Sequence, residues 1–79
     1  MAQANDTVYG LAAAVFTQDF GRAYRVARRL RAGSVWVNCY NAVSPMAPFG
    51  GFKQSGVGRE LCRQSLDAYT ELKTIAVKL

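Results

Sequence analysis

At 79 residues, with 51% hydrophobic and 19% charged side chains, the chain has room for at most one small domain. Chains this short bury only about 60–65% of their unfolded surface, so the apolar excess points to a larger partner or a larger core. The net charge of +5 permits contact with nucleic acid or an anionic membrane without establishing it. With no histidine and no CxxC spacing, Cys39 and Cys62 argue against a zinc site.

The opening "MAQANDTVYG" is polar, and Asn5, Asp6 and Thr7 are turn or cap formers. Any helix here is expected to be only the end of one. "LAAAVFT" (Leu11–Thr17) follows Gly10 and reads by its length as a buried strand. In "QDFGRAYRVARRLRAG", Phe20, Ala23, Tyr24, Ala27 and Leu30 recur at helical spacing and define one apolar face. Asp19 suits the positive end of the helix dipole, and Arg28, Arg29 and Arg31 suit the negative end. Gly33 is the expected C-terminal cap. "SVWVN" (Ser34–Asn38) reads as a second short strand. A connection of this length between strands predicts a right-handed parallel βαβ unit.

A Gly-rich, aromatic loop fills the stretch from Cys39 to Gly58, with "PFGGFKQSG" at its centre. Beyond it, Leu61, Cys62, Leu66 and Tyr69 are spaced as on a second amphipathic helix. The tail "ELKTIAVKL" alternates, with Ile75, Val77 and Leu79 on one face, which predicts a strand. No hairpin partner precedes it, so its neighbour must come from elsewhere in the chain or from another chain. No segment has the pattern of a signal peptide or the roughly 20 apolar residues of a membrane span. Two isolated cysteines suit a reduced compartment, and the chain is expected to be cytoplasmic, with no membrane partner.

Lys53 follows Phe52 rather than a glycine, so the P-loop pattern fails. "GVGREL" places Leu61 where a dinucleotide fingerprint needs its third small residue, and no strand precedes it. Cys39 has no histidine to activate it and reads, like Cys62, as a small buried hydrophobe. Glu60, Asp67 and Glu71 form no evident catalytic pair. Arg22, Arg25 and Arg29 share one helix side, but without exposed aromatics or a recognition motif they read as a solvated face rather than a nucleic-acid surface.

"ANDTVYGLAAAVFTQD", "AGSVWVNCYN", "APFGGFKQSGVGRE" and "AYTELKT" occur in the order and spacing of the C-terminal end of NAD(P)-dependent aldehyde dehydrogenases. The resemblance covers Ala4 to Leu79, and the branches that oxidise retinal, acetaldehyde and betaine aldehyde are not separated by it. It implies an α/β fold: a βαβ unit, a Gly-rich loop, a helix and a C-terminal oligomerisation strand, all part of a larger fold. Residues 1–71 would be the closing portion of a catalytic domain and 72–79 the oligomerisation strand. Family enzymes are several times longer, and Met1 falls inside the family pattern, so the sequence is expected to be a fragment or to have a mis-set start. The family's nucleophilic cysteine, general base and cofactor loops lie upstream of the matched part. The implied activity is NAD(P)-dependent oxidation of an aldehyde by the complete enzyme, with NAD or NADP as cofactor. The 79 residues alone are expected to bind no cofactor and to be inactive.

By resemblance, Phe49 lines the aldehyde-entry tunnel, and Asn41 and Val43 approach it. Gly50 and Gly51 let the backbone turn behind Phe49, and Lys53, Ser55 and Gly56 are loop framework. Arg59 and Glu71 match an ion pair near a subunit interface, to which Ile75 and Val77 would contribute in a homo-oligomer. The family commonly has "ELG..GL" where this chain has "ELCRQSL", so Cys62 and Ser65 stand at two glycine positions and are expected to strain a tight backbone. Two other readings stay open on the residues: a free-standing interaction module docking on full-length subunits, and a small basic nucleic-acid binder.

Overall fold

The computed structural model describes residues 1–79. A single helical turn, α1 (Ala2–Asn5), leads to β1 (Tyr9–Gly10), β2 (Ala12–Val15), α2 (Phe20–Arg29), β3 (Ser34–Val37) and β4 (Phe52–Lys53), followed by a 3-10 helix over Arg63–Ala68. β2 and β3 pair in parallel, Ala12 opposite Ser34 through Val15 opposite Val37, with α2 as the crossover. β1 pairs antiparallel with β4, Tyr9 opposite Lys53 and Gly10 opposite Phe52. The mixed α/β architecture and the βαβ unit are those expected from the sequence.

α2 starts where Asp19 accepts a hydrogen bond from the Arg22 amide at 2.9 Å, satisfying one of the helix's free N–H groups. Its other end differs from expectation. The helix stops at Arg29, with Leu30 as cap at φ −74°, and Gly33 is not among the positive-φ glycines. Asn5 caps the end instead. Its Nδ2 donates to the Arg29 carbonyl at 2.8 Å, and its Oδ1 accepts from the Arg31 amide at 2.9 Å. One asparagine thus satisfies a free carbonyl of the last turn and ties the N-terminal turn to α2.

Gly33 serves a different purpose. A Cβ there would overlap the carbonyl oxygen of Gly50, while its amide donates to the Gly10 carbonyl at 3.0 Å. At Gly10 a Cβ would meet the Arg31 carbonyl at 2.5 Å. Three stretches of backbone meet here, and only glycine lets them approach.

On the apolar face of α2 Ala23 is fully buried, but Phe20 is 79% and Tyr24 56% exposed. These rings stack on each other, 6.4 Å between centroids. The second helix is a 3-10 helix rather than an α-helix, and the tail carries no strand pairing, with Ile75 and Val77 about three-quarters exposed. The alternation of 72–79 remains, but a strand needs a neighbour to bond. Only 3 of 79 residues are buried. The radius of gyration is 17.3 Å, against about 12 Å for a compact domain of this length. With 29 backbone–backbone hydrogen bonds, the chain has well below the roughly 50 of a self-contained domain.

Candidate functional site: a Gly-rich loop and its anchors

The loop from Asn38 to Cys62 is held at a small number of points. At its start Asn38 has φ 55°, a conformation that asparagine tolerates better than most residues. Its side chain clamps the Thr17 backbone, accepting from the amide at 2.8 Å and donating to the carbonyl at 2.9 Å. Asn41 reverses the chain again at φ 56°. One residue later, the Ala42 carbonyl accepts from the Trp36 indole Nε1 at 2.8 Å.

Phe49 exchanges two hydrogen bonds with Glu60, at 2.8 and 2.7 Å, which closes the neck of the Gly-rich segment. Within that segment, the glycine pair serves close approach rather than unusual backbone angles. Neither Gly50 nor Gly51 has positive φ. Both allow close approach: a Cβ on Gly50 would lie 2.6 Å from the Gly58 carbonyl, and one on Gly51 2.5 Å from the Ser55 Cβ. The left-handed turn belongs to Gly58, at φ 79°.

The framework residues have definite partners. Lys53, itself at φ 53°, donates Nζ to the carbonyls of Asn5 and Thr7 at 2.8 and 2.9 Å. Ser55 Oγ accepts from the Gly10 amide at 2.8 Å. Gly56 lines a cavity together with Gly50 and Gly51. Arg59 lies inside the loop. Its Nη1 donates to the carbonyls of Gly58 and Gly51 at 2.7 and 3.1 Å, and its guanidinium lies over the Phe52 ring at 5.5 Å. Its hydrogen bonds go to these carbonyls rather than to Glu71, which is exposed in the tail. Both bonds come from one nitrogen of the guanidinium, whose plane is left free to lie on the Phe52 ring.

Phe49 is half-buried and touches two cavities. One, of about 320 Å³, is open and is bounded by Leu11, Gly51, Arg59 and Tyr69 among others. The other is small, about 40 Å³, and Val43 and Trp36 share its wall. The structure therefore brings Phe49 and Val43 together, whereas Asn41 lies exposed at the preceding turn. Ile75 and Val77 lie apart from this site in the exposed tail. Asn38 and Trp36 are not singled out by the sequence, and Asn5 reads there only as a turn or cap former, with nothing to show that it caps α2. The signal available was an asparagine just beyond a strand end and a tryptophan opposite an alanine-rich strand.

The end of the loop is strained. Leu61 and Cys62 have φ 59° and 55°, and Cys62 combines this with ψ −177°, a region that is nearly exclusive to glycine. The Cys62 amide donates to the Pro45 carbonyl at 2.9 Å, so the junction also anchors the middle of the loop. Ser65 is accommodated: its hydroxyl donates to the Cys62 carbonyl at 2.8 Å. Of the two replacements, Cys62 carries the strain and Ser65 does not. Both cysteines are free thiols. No group of three or more His, Cys, Asp or Glu residues is placed to hold a metal ion, and no helix is long and apolar enough to cross a membrane.

Comparison with known proteins gives one answer. A family model described as "Aldehyde dehydrogenase family" matches residues 1–75. Aldehyde dehydrogenase 1A1 of Gallus gallus is 58% identical over 77 residues, 98% of this chain and 15% of that protein. The crystal structure of an indole-3-acetaldehyde dehydrogenase in apo form superposes with a TM-score of 0.87 at 58% identity, covering 98% of this chain and 18% of that one. Betaine aldehyde dehydrogenase of Staphylococcus aureus in complex with NAD+ gives a TM-score of 0.80 at 52% identity, over 82% of this chain and 13% of that one. The chain thus spans about a sixth of the length of these relatives.

Cys62→Gly should relieve the strained junction by about 1–2 kcal/mol. It is expected to raise the thermal midpoint of a complete enzyme carrying this segment, while Ser65→Gly should lower it. Calorimetry of the two variants checks both signs.

Proposed function

The chain belongs to the aldehyde dehydrogenase family, and on that premise we propose that it supplies part of the aldehyde-entry tunnel and of the subunit interface of an enzyme that oxidises an aldehyde to a carboxylic acid. The observation that carries this reading is the placement of Phe49. Its ring stands at a rigid neck, with Val43 on one cavity wall and a loop braced by Arg59 behind it. An aromatic wall on a loop fixed by backbone bonds suits an apolar aldehyde and keeps water from the reacting carbon. Asn41 belongs to the same wall through the turn that presents Val43. Residues 1–71 are on this reading the catalytic-domain portion, and the cofactor of the complete enzyme is NAD or NADP.

The chemistry itself is supplied by other parts of the polypeptide. Cys39 and Cys62 are free, but the sequence holds no histidine, and no carboxylate is bonded to either thiol, so neither is an activated nucleophile. The free thiols and the composition suit a cytoplasmic location. A free-standing module is the weaker reading, because 3 buried residues and a radius of gyration of 17.3 Å describe a surface that needs cover. A nucleic-acid surface is weaker still, since the exposed rings of Phe20 and Tyr24 stack on each other, Arg28 covers Tyr24 at 5.7 Å, and the family match takes in this helix.

The tail completes the proposal. Leu72, Ile75, Val77 and Leu79 are all more than 70% exposed, and residues 72–79 form no backbone ladder. An alternating segment with a free backbone is a strand awaiting an edge. We place that edge on a neighbouring subunit, with Arg59 and Glu71 near the junction.

Three outcomes test this reading. The 79 residues alone should form no NADH or NADPH with any aldehyde; turnover lost on Cys39→Ser would reverse the assignment of chemistry to other segments. In a complete enzyme, Phe49→Ala should shift the ranking of aldehydes by size by about tenfold, the scale of a misfit in an apolar pocket. Cofactor KM should stay unchanged, and an unaltered ranking rejects the tunnel wall. Lysine at both Ile75 and Val77 should weaken subunit assembly in sedimentation, and an unchanged assembly rejects the interface role.

A further inference from the structure

The loop bearing Val43 and Phe49 has an anchor that the tunnel reading does not use. Between Cys39 and Pro48 the backbone has few ties to the rest of the chain. The Ala47 amide donates to Ser44 within the loop, and the Pro45 carbonyl accepts from Cys62 at 2.9 Å. The remaining tie is the bond from the Trp36 indole to the Ala42 carbonyl at 2.8 Å. Trp36 sits on β3 opposite Ala14, the best-paired element of the fold. Tyr40 meets its ring edge-on, 5.5 Å between centroids at 66°. The indole therefore holds the loop at two places, one by hydrogen bond and one by ring contact, either side of the Asn41 turn at φ 56°.

The same indole shares the wall of the small cavity with Val43 and Phe49. That places it beside two of the three residues assigned to the tunnel. Phe49 is fixed from its own side by the Glu60 bridge, whereas Val43 follows directly on the bonded Ala42 carbonyl. A tryptophan is suited to this use, since its N–H needs a partner when the ring is packed and its bulk sets a fixed spacing.

We propose that Trp36 is a positioning residue for substrate selection, setting the distance between the Val43 and Phe49 walls by pinning the Ala42 carbonyl to β3. The proposal rests on the tunnel reading. It differs from that reading in assigning the width to a residue behind the wall. Removing the indole N–H frees the Ala42 carbonyl, lets the Asn41 turn relax and blurs discrimination between large and small aldehydes. Cofactor binding is expected to be unaffected.

The test exchanges these 79 residues for the matching segment of the indole-3-acetaldehyde dehydrogenase. It compares kcat/KM for indole-3-acetaldehyde and for acetaldehyde. Trp36→Phe keeps a ring against Tyr40 and loses the donor. The ratio of the two kcat/KM values is expected to change by about tenfold, the scale of a small misfit in an apolar pocket. The change should lie mainly in aldehyde KM, with cofactor KM within about twofold. Tyr40→Ala removes the ring contact from an exposed position, should move the ratio in the same direction, and decides the matter if the Trp36 variant fails to fold. A ratio unchanged in these variants while Phe49→Ala moves it overturns the positioning role and leaves the tunnel wall standing. A ratio unchanged in all three overturns both.

Discussion

The contact on which the rest of this structure depends is between two stretches of backbone. Gly33, at the entrance to β3, lies so close to the Gly50 carbonyl that a single Cβ would occupy the oxygen's place. Gly10 completes the junction, its amide bonded to Ser55 and its carbonyl accepting from Gly33. The contact buries almost no apolar surface, so it contributes little hydrophobic stabilisation. What it fixes is distance. The Gly-rich loop is held at one separation from the βαβ unit, and Phe49, Phe52 and Arg59 take their positions from that separation. A substitution at Gly33 would act on the loop although it lies outside it.

A fold whose interior is made of glycines directs its larger side chains outward. Phe16, Phe20, Tyr40, Met46 and Tyr69 are all more than two-thirds exposed. In a self-sufficient domain such a surface would be costly, since apolar burial is the main term opposing chain entropy. Here it is the expected consequence of a chain that spans about a sixth of its relatives' length. The covered and uncovered faces follow a rule. Backbone junctions and polar clamps such as Asn5, Asn38 and Lys53 are satisfied within the chain, while apolar faces are left for other segments. Geometry is therefore local and stability is not.

The same division explains what could be read from the sequence. The βαβ unit was legible because Asp19, the helical spacing and the two short apolar runs are local signals. The family was legible by resemblance, because the loop's motif is specific. The roles within it were not. Gly33 looks like a helix cap to any local rule, since a glycine just beyond basic residues fits that pattern. Only the fold shows that the position is needed for close approach. Which of glycine's two uses, unusual angles or close approach, Gly50 and Gly51 serve is decided only by the fold, and Arg59 bonds carbonyls rather than the expected Glu71. A pattern of residue types reveals that glycine or arginine is required, but the reason depends on what arrives from distant sequence. The α-helix expected after Arg59 failed on a related point. Leu61 and Cys62 stand outside the helix with positive φ, and only Arg63–Ala68 coils, as a 3-10 helix.

That junction bears on the loop as well as on the tail. Cys62 is bonded through its amide to Pro45 and through its carbonyl to Ser65. Its strained backbone is therefore held from both sides, as a costly conformation must be to persist. One side is the outer arm of the tunnel loop, and the other is the short helix that leads into the tail. Trp36 holds the inner arm of the same loop from β3. The loop thus hangs between a firm anchor on a paired strand and a strained one on the segment next to the exposed tail. The wall on the Phe49 side has its own tie, the bridge to Glu60, which lies one residue before the strained pair, so the two arms of the loop take their positions from different parts of the chain.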